Sequence, residues 1–268
     1  MTHVKMVLEF SLTVKVCSTL RITAPTKMTI LSDETKVLIA TGGNTDIGRN
    51  TEILDMEDPF FACSNVELFP VKMYRGVGAL VNGTPFICGG GVDSTIYETC
   101  YTLEENGKWK EDQVASLNTP KNTAASLTMD DKLVVAGGWD GSNRLKTIEL
   151  ASPNTASMIL PYELPVALSS KPCAVSWKSD TFMLVGGRSD QYDYEERTYF
   201  IDMGNNTVIN GPNLQFRRRE LACQEMIVNG SSFIVVAGGE GTAGDLKSTE
   251  VLSKSSVEDG WQPGQIKV

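Results

Sequence analysis

A pair of adjacent glycines recurs five times along the chain, and this repeat constrains the fold more than any other feature. The pairs are Gly42-Gly43, Gly89-Gly90, Gly137-Gly138, Gly186-Gly187 and Gly238-Gly239. The second glycines of successive pairs are 47, 48, 49 and 52 residues apart. A period of this length is typical of an array of similar structural units.

Each glycine pair lies between two segments that have the composition of strands. A continuous apolar run such as Leu133-Val134-Val135-Ala136 comes before it and indicates a strand covered on both faces. A second strand, such as Thr147-Ile148-Glu149-Leu150, follows a polar loop. Tight turns join each run to an upstream strand, with primed turns at Asn82-Gly83 and Asn229-Gly230 and the matching places at Asp130-Asp131 and Ser179-Asp180. Four short antiparallel strands per unit predict an all-β propeller with five four-stranded blades.

The units resemble the kelch repeat, in which a glycine pair, a strand with Tyr or Glu and then a tryptophan follow one another. Gly137-Gly138 with Thr147-Ile148-Glu149-Leu150 fits this pattern, as does Gly238-Gly239 with Thr249-Glu250-Val251-Leu252 and Trp261. Trp109 has the tryptophan position of the second unit, while the first, third and fourth units have none, and the fourth has Thr198-Tyr199-Phe200-Ile201 at the Glu-containing strand. The resemblance covers residues 24–268 and implies a kelch-type β-propeller, a fold that hosts many functions.

The two ends of the chain bear on how the ring closes. Kelch propellers commonly have six blades, closed by strands from both ends. Residues 261–268 resemble residues 109–115 in sequence and are expected to complete an outer strand. Residues 4–16 alternate between apolar and polar side chains, as the residues of a half-buried strand do. We assign residues 1–24 to an amino-terminal β-strand segment and 25–268 to the propeller. Either five blades close with this segment added to the last one, giving a monomer, or it is half of a sixth blade in an incomplete ring, which we favour.

Charge and composition exclude several classes of partner and of enzyme mechanism. The formal charge of −9 argues against nucleic acid as a partner, and no apolar stretch is long enough for a transmembrane helix, so no membrane partner is expected either. His3 is the only histidine, which excludes mechanisms that need two imidazoles, including the copper radical centre found on related propellers. We expect that the protein is not an enzyme and binds neither a metal nor a cofactor. The minor alternative is a sugar-acid mutarotase of kelch type.

Six cysteines and three glycosylation patterns bear on the cellular compartment. The cysteines, at positions 17, 63, 88, 100, 173 and 223, show no metal-ligand spacing, and several lie in apolar strand patterns. We expect buried free thiols; one or two disulfides in a secreted protein are the alternative. Asn82-Gly83-Thr84, Asn205-Asn206-Thr207 and Asn229-Gly230-Ser231 match the glycosylation acceptor pattern, but hairpin-turn chemistry already explains their asparagines. The cytoplasm is slightly favoured over secretion.

Candidate binding residues lie in the loops, since loops on a rigid scaffold commonly carry function. The loop of residues 188–197 combines tyrosines, arginines and aspartates in the manner of an interaction hot spot, and Trp139 directly follows a glycine pair. The kelch resemblance also implies that arginines in the loops between blades contact a partner. The candidates are Arg75, Trp139, Arg144, Arg188, Asp190, Tyr192, Tyr194, Arg217 and Arg219.

We therefore expect a non-catalytic module that presents loops on one propeller face to a protein partner. The kelch resemblance implies a possible role as part of a ubiquitin-ligase substrate receptor, which requires BTB and BACK domains that this sequence does not show. A secreted or extracellular kelch-like binding protein is the alternative.

Overall fold

The structure, a computed structural model, describes residues 66–264 continuously and, before them, residues 15–16, 20–21, 28–32, 36–41, 49 and 51–55. Apart from a 3-10 helix at Val257–Asp259, the regular elements of these residues are β-strands. No helix within the described ranges has the length and apolar character needed to cross a membrane. The prediction of an all-β fold is confirmed.

The strands group into successive sheets, or blades. A short hairpin pairs β1 (Lys15–Val16) with β2 (Leu20–Arg21). The described part of blade one contains β3 (Met28–Ser32), β4 (Lys36–Thr41) and β5 (Thr51–Asp55). Blade two begins with β6 (Val77–Val81) and β7 (Thr84–Cys88), continues through a small hairpin of β8 (Gly91–Val92) and β9 (Thr95–Ile96), and ends with β10 (Thr99–Leu103) and β11 (Trp109–Ser116).

The next three blades have the same plan. Blade three contains β12 (Ala125–Met129), β13 (Lys132–Ala136), β14 (Ile148–Ser152) and β15 (Thr155–Ile159). Blade four contains β16 (Cys173–Lys178), β17 (Thr181–Val185), β18 (Thr198–Asp202) and β19 (Thr207–Asn210). Blade five contains β20 (Ala222–Val228), β21 (Ser231–Ala237), the hairpin of β22 (Glu240–Gly241) and β23 (Gly244–Asp245), then β24 (Thr249–Ser253) and β25 (Gln262–Pro263).

The blades are arranged around a common axis. Blades two to five are four-stranded antiparallel sheets in which strands pair in chain order, as predicted. The first strands of consecutive blades, β3, β6, β12, β16 and β20, lie next to one another in that order. The first strand of each blade is therefore innermost, as in a propeller. How the ring closes depends on residues 1–14 and 265–268 among others, and these lie outside the described residues.

Hydrophobic cores lie between consecutive blades. Leu133 and Val135 of β13 belong to a cluster with residues of blade two, whereas Val134 and Ala136 belong to a cluster with residues of blade four. All four side chains are fully buried. This two-sided burial is the reason for the continuous apolar run, and it contributes about 1.5–3 kcal/mol for each large aliphatic side chain.

The glycine pairs end the second strands at points of close backbone approach. At Gly137, φ is +68°, and a Cβ atom would lie 2.5 Å from the backbone oxygen of Leu168, in the connection to the next blade. The N–H of Gly138 donates a hydrogen bond of 2.7 Å to that same oxygen. Only glycine combines this φ with this contact, which accounts for the repeat.

The sequence correctly predicts primed turns between the first and second strands of blades two, three and five, but not of blade four. Asn82-Gly83, Asn229-Gly230 and Asp130-Asp131 have positive φ at both residues, as primed turns require. Ser179 and Asp180 do not, so a primed turn at that position is the wrong assignment. An unprimed two-residue turn does not match the strand twist, and the pairing of β16 with β17 accommodates it by a register shift next to the turn.

Four of the six cysteines form disulfides, so the expectation of free thiols is wrong for them. Cys88 and Cys100 are directly paired across β7 and β10 and form a disulfide within blade two. Cys173 and Cys223 form a second disulfide that joins the inner strands of blades four and five. The sequence alone does not show these pairings, because they depend on cross-strand register and on the contact between blades. Cys17 and Cys63 lie outside the described residues.

A buried pair of side chains fixes the connection before each of blades two to five. In two blades the pair is ionic: Lys121 Nζ lies 2.5 Å from Glu149 Oε1, and Arg218 Nη2 lies 2.7 Å from Glu250 Oε1, with all four side chains fully buried. Each carboxylate also accepts backbone N–H groups of its connection, Asn118 in one case and Gln215 and Phe216 in the other.

The other two blades have apolar and aromatic residues at the corresponding positions. Met73 and Tyr101 share one buried cluster, and Leu168 and Tyr199 share another. The chain thus places a cation with a glutamate, or an apolar residue with a tyrosine, at the same structural position. Tyr199 therefore takes the place of the kelch glutamate in the fourth unit.

Asp112 joins blade two to blade three through backbone hydrogen bonds. Its Oδ1 accepts N–H groups of Val114 and Ala115 at 3.0 and 2.8 Å, and its Oδ2 accepts that of Asn154 at 2.6 Å. Burial raises the pKa of Asp112, but these donors outweigh burial, so the pKa lies below its ordinary value.

Two tryptophans also link neighbouring blades. Trp109 Nε1 donates a hydrogen bond of 3.0 Å to Thr51 Oγ1 in blade one. Trp261 Nε1 donates one of 2.9 Å to the backbone oxygen of Pro212, in the connection that leaves blade four. The kelch tryptophan position is therefore used for packing and for inter-blade hydrogen bonding.

Candidate functional site

Strand alternation gives the propeller two distinct faces. Because the four strands of a blade are antiparallel, the loop after the second strand and the connection to the next blade lie at one end, which we call the loop face. The turns after the first and third strands lie at the opposite end, the turn face. All nine candidate binding residues are in segments of the loop face: Arg75, Trp139, Arg144, Arg188, Asp190, Tyr192, Tyr194, Arg217 and Arg219.

Backbone bridges join each connection to the loop beside it. The residue that directly follows a glycine pair forms an isolated antiparallel bridge with the connection, giving the pairs Tyr74 with Gly91, Asn122 with Trp139, Ser169 with Arg188, and Arg219 with Glu240. Loop and connection are therefore held as one layer, and side chains on the loop face are positioned by main-chain hydrogen bonds.

Two tyrosines of the fourth loop lie against arginines of the following connection. The guanidinium carbon of Arg217 is 4.3 Å from the ring centroid of Tyr192, and that of Arg219 is 4.8 Å from the ring centroid of Tyr194. These distances fall within the range of cation–π contacts. The sequence singled out all four residues, and the structure brings them together; we call them the arginine–tyrosine cluster.

Glutamates hold the arginines of this cluster in place. Arg219 donates through Nε and Nη2 to Glu240 Oε2 at 3.0 and 2.8 Å, and the hydroxyl of Tyr194 donates to Glu240 Oε1 at 3.0 Å. Arg217 donates through Nε to Glu196 Oε2 at 3.0 Å. Sequence reasoning missed both glutamates; the signal for Glu240 was its position directly after a glycine pair, as for Trp139 and Arg188.

Contacts with Glu240 keep Tyr194 and Arg219 in their ordinary charge states at neutral pH. The hydrogen bond to Glu240 is the main reason that the pKa of Tyr194 is raised, so the phenol stays neutral. Burial lowers the pKa of Arg219, but the hydrogen bond to Glu240 and the negative charge of that carboxylate together outweigh burial, so the pKa is raised. The cluster therefore presents the neutral phenol of Tyr194 beside the charged guanidinium of Arg219.

A second set of contacts continues the layer towards blade three. Arg144 Nη1 lies 2.7 Å from Asp190 Oδ1, which joins the loops of blades three and four, and its guanidinium carbon is 5.7 Å from the ring centroid of Trp139. Arg188 Nη2 lies 2.7 Å from Asp193 Oδ1. The candidates of the third and fourth loops are therefore neighbours in one continuous surface.

Three of the candidate arginines retain a hydrogen-bond donor without an acceptor. Among the residues that the structure describes, the buried Nε atoms of Arg75, Arg144 and Arg188 have no hydrogen-bond partner. The side chain of Arg75 lies against the ring of Tyr74, with 5.2 Å between the guanidinium carbon and the centroid. An unpaired buried donor is unusual and is a reason to look for a function.

The inner edge of the loop face is formed by residues that the sequence did not single out, apart from Arg75. Arg75, Thr123, Ser170 and Glu220 all have positive φ and lie two or three residues before the first residue of an inner strand. Backbone hydrogen bonds link successive connections here: Thr123 N–H to the Arg75 oxygen, Lys171 N–H to the Thr123 oxygen and Glu220 N–H to the Ser170 oxygen. The connections thus support one another around the axis.

The arginine between two candidates of the connection between blades four and five is structural. Arg218, between Arg217 and Arg219, is fully buried in its pair with Glu250, so the three consecutive arginines do not form one exposed patch. Within residues 66–264 and the shorter described segments, no group of three or more His, Cys, Asp or Glu residues is placed to hold a metal ion. His3 lies outside the described residues.

Comparison with known proteins identifies the repeat. The family model of the kelch motif matches residues 120–150, which run from the buried Lys121 through the glycine pair at 137–138 to the strand that contains Glu149. A search of the curated proteins found no match. Kelch repeats typically mediate protein–protein interaction. The motif match and the series of four-stranded antiparallel blades together show a kelch motif within a β-propeller fold.

Proposed function

We propose that this chain is a non-catalytic binding module whose loop face takes a protein partner. One observation carries the proposal: every arginine of residues 66–264 belongs to a loop or connection of that face. In this acidic protein the arginines, all but the buried Arg218, give the loop face a composition that differs from the rest of the described surface.

The composition of this face is that of a binding hot spot. Tyrosine, tryptophan and arginine dominate the residues whose truncation weakens protein complexes most. Here Tyr192 and Tyr194 are already packed against Arg217 and Arg219 before any partner arrives. Side chains that are ordered in advance lose less conformational entropy on binding, which favours affinity.

The unpaired donors indicate what the partner contributes. Arg75, Arg144 and Arg188 each keep one buried Nε–H without an acceptor. Leaving such a donor unpaired costs about 1–3 kcal/mol, so a partner that shifts these arginine side chains and offers an acceptor recovers this cost. We infer that the partner places carboxylate or carbonyl oxygens near these arginines.

The disulfides favour the extracellular alternative for this module over a ubiquitin-ligase receptor. Disulfides form and persist in oxidising compartments and are rare in the cytosol. The Cys173–Cys223 disulfide joins two blades, and the Cys88–Cys100 disulfide lies within one. Two separate pairings in the blades support a secreted binding protein.

The test compares loop-face and turn-face variants in partner capture. The loop-face variant carries Tyr192→Ala, Tyr194→Ala and Arg188→Ala; the control carries Glu105→Ala, Glu111→Ala and Thr155→Ala, which are exposed and outside the loop face. The control substitutions and Tyr192→Ala are at exposed positions and should change stability by about 0.5 kcal/mol or less each. Tyr194 and Arg188 are half-buried, so circular dichroism first verifies that the loop-face variant folds. Proteins that the wild type captures specifically are then quantified on each variant.

We expect the loop-face variant to lose these partners and the control to retain them. Truncated hot-spot residues commonly cost about 2 kcal/mol or more each, which is roughly a 30-fold loss of affinity per residue. Equal recovery of every partner by the two variants would place the binding surface elsewhere.

A further inference from the structure

We propose that Asn82, Asn205 and Asn229 are N-glycosylated and that the glycans cover the turn face, leaving the loop face open. This inference concerns a modification and does not depend on the proposed binding function. It starts from three Asn-x-Ser/Thr patterns, at residues 82–84, 205–207 and 229–231.

The topology places all three asparagines at the same end of the propeller. Asn82 lies in the turn between β6 and β7, and Asn229 in the turn between β20 and β21, so both follow first strands. Asn205 lies between β18 and β19, after a third strand. In an antiparallel four-stranded blade these turns share one end, which is opposite the end that carries the arginine–tyrosine cluster.

The turns offer room for a glycan. Asn82, Asn205 and Asn229 are exposed. A Cβ atom added at Gly83 or at Gly230, the neighbours of two of them, would meet no other atom within 4 Å. A chain attached to Asn82 or Asn229 therefore projects into open space, whereas Gly204, which precedes Asn205, lies close to Asp180.

Turn geometry does not account for all of the pattern. Asn82 and Asn229 have φ of 49° and 50°, which the primed turns require, but those turns place no requirement on the hydroxyl residues Thr84 and Ser231. In the third pattern the positive φ belongs to Asn206, with φ 56°, and not to the acceptor Asn205. Turn geometry therefore does not explain why a hydroxyl residue follows each asparagine at the second position, whereas N-glycosylation requires it.

The attachment chemistry fits each position. The Asn Nδ2 atom forms a bond to the anomeric carbon of a lipid-linked oligosaccharide, the bond from that carbon to the lipid pyrophosphate breaks, and Nδ2 loses one proton. The Asn205 amide donates to Asp202 Oδ2 at 2.9 Å, and the one hydrogen left on Nδ2 after attachment can keep this bond. The donor belongs to the same oxidising secretory compartment that the disulfides require.

The native protein provides the direct test. It is extracted with a thiol-alkylating reagent, treated with an amidase that releases N-glycans in heavy-oxygen water, and digested for mass spectrometry. We expect peptides in which Asn82, Asn205 and Asn229 have become heavy-labelled aspartate, together with cystine-linked peptides of the two disulfides. Unmodified asparagine at all three positions overturns the proposal.

Matched variants in a secretory host identify each site. Thr84→Ala, Asn205→Gln and Ser231→Ala should each remove one glycan, seen as one step in gel mobility, and the triple variant should run as the unglycosylated chain. Thr84→Ser and Ser231→Thr keep the pattern and should keep the glycan. Wild-type protein whose mobility does not change on glycan removal contradicts the proposal, whatever the outcome of the partner-capture experiment.

Discussion

Replacing Lys121 by methionine tests the buried pair that fixes the connection between blades two and three. Lys121 and Glu149 are both fully buried, with 2.5 Å between Nζ and Oε1. The substitution removes the cation and leaves the Glu149 carboxylate buried without a counter-charge. Breaking a buried pair in this way typically destabilises a protein by about 3–5 kcal/mol.

The chain itself supplies the compensating change, because blade four has Leu168 and Tyr199 at the corresponding positions. The double variant Lys121→Leu with Glu149→Tyr therefore copies a solution that already exists in this fold. Replacing a buried ion pair by apolar residues is often neutral or stabilising by about 1–4 kcal/mol. The loss of the 2.7 Å hydrogen bond from the Asn118 N–H to Glu149 opposes this by about 1–3 kcal/mol, so we expect the double variant within about 2 kcal/mol of wild type.

The measurement is urea unfolding of the oxidised proteins at neutral pH, with the two single variants Lys121→Leu and Glu149→Tyr completing the cycle. Lys132→Met, an exposed lysine on β13, is the matched control and should change the free energy of unfolding by about 0.5 kcal/mol or less. A Lys121→Met variant within about 1 kcal/mol of wild type, or a double variant as unstable as the sum of its singles, would refute the reasoning.

Three further predictions concern the backbone, an acid group and a disulfide. Gly186→Ala places a Cβ 2.7 Å from a carbonyl oxygen of the next connection at φ +64°, so its melting temperature should fall well below that of Gly230→Ala, which has φ +79° and no atom within 4 Å; equal melting temperatures would contradict this contact. Backbone donors hold the pKa of Asp112 below its ordinary value against the effect of burial, so ionised Asp112 stabilises the folded protein fully above the ordinary carboxyl pKa. This stabilisation is lost as the pH falls through the lowered pKa. Asp112→Asn should therefore flatten the loss of stability in acid, and an unchanged acid profile would exclude this role. Replacing Cys173 and Cys223 by alanine should cost about 2–4 kcal/mol in chemical unfolding, since their disulfide closes a loop of 50 residues, and an unchanged midpoint would show that the cross-link does not form.

The repeat made the strands predictable, because the same local chemistry recurs in every unit. The strands predicted at residues 198–201 and 249–252 begin at the predicted residues, and the apolar runs before the glycine pairs are all second strands. The third strand of blade two begins at Thr99, two residues after Tyr97. The N–H of Tyr97 donates to the oxygen of Gly90 and closes the loop, a contact that periodicity does not report.

The candidate site was predictable in its residues but not in its pairings. Composition drew attention to Tyr192 and to the arginines after blade four, yet their contact requires two segments 25 residues apart to meet at one end of the propeller. Glu240 was missed for the same reason, since its partners Tyr194 and Arg219 come from another blade and its connection. The disulfide between Cys173 and Cys223 likewise depends on two inner strands being neighbours.

Photo-crosslinking tests the central claim, that the loop face is the docking surface, most directly. A photoreactive phenylalanine analogue is placed at Tyr192 on the loop face or at Glu105 on the turn face, between β10 and β11, and each protein is irradiated in the presence of its captured partner. The account predicts covalent adducts with the partner from position 192 and none from position 105. Adducts from position 105 alone, or equally from both positions, would contradict it.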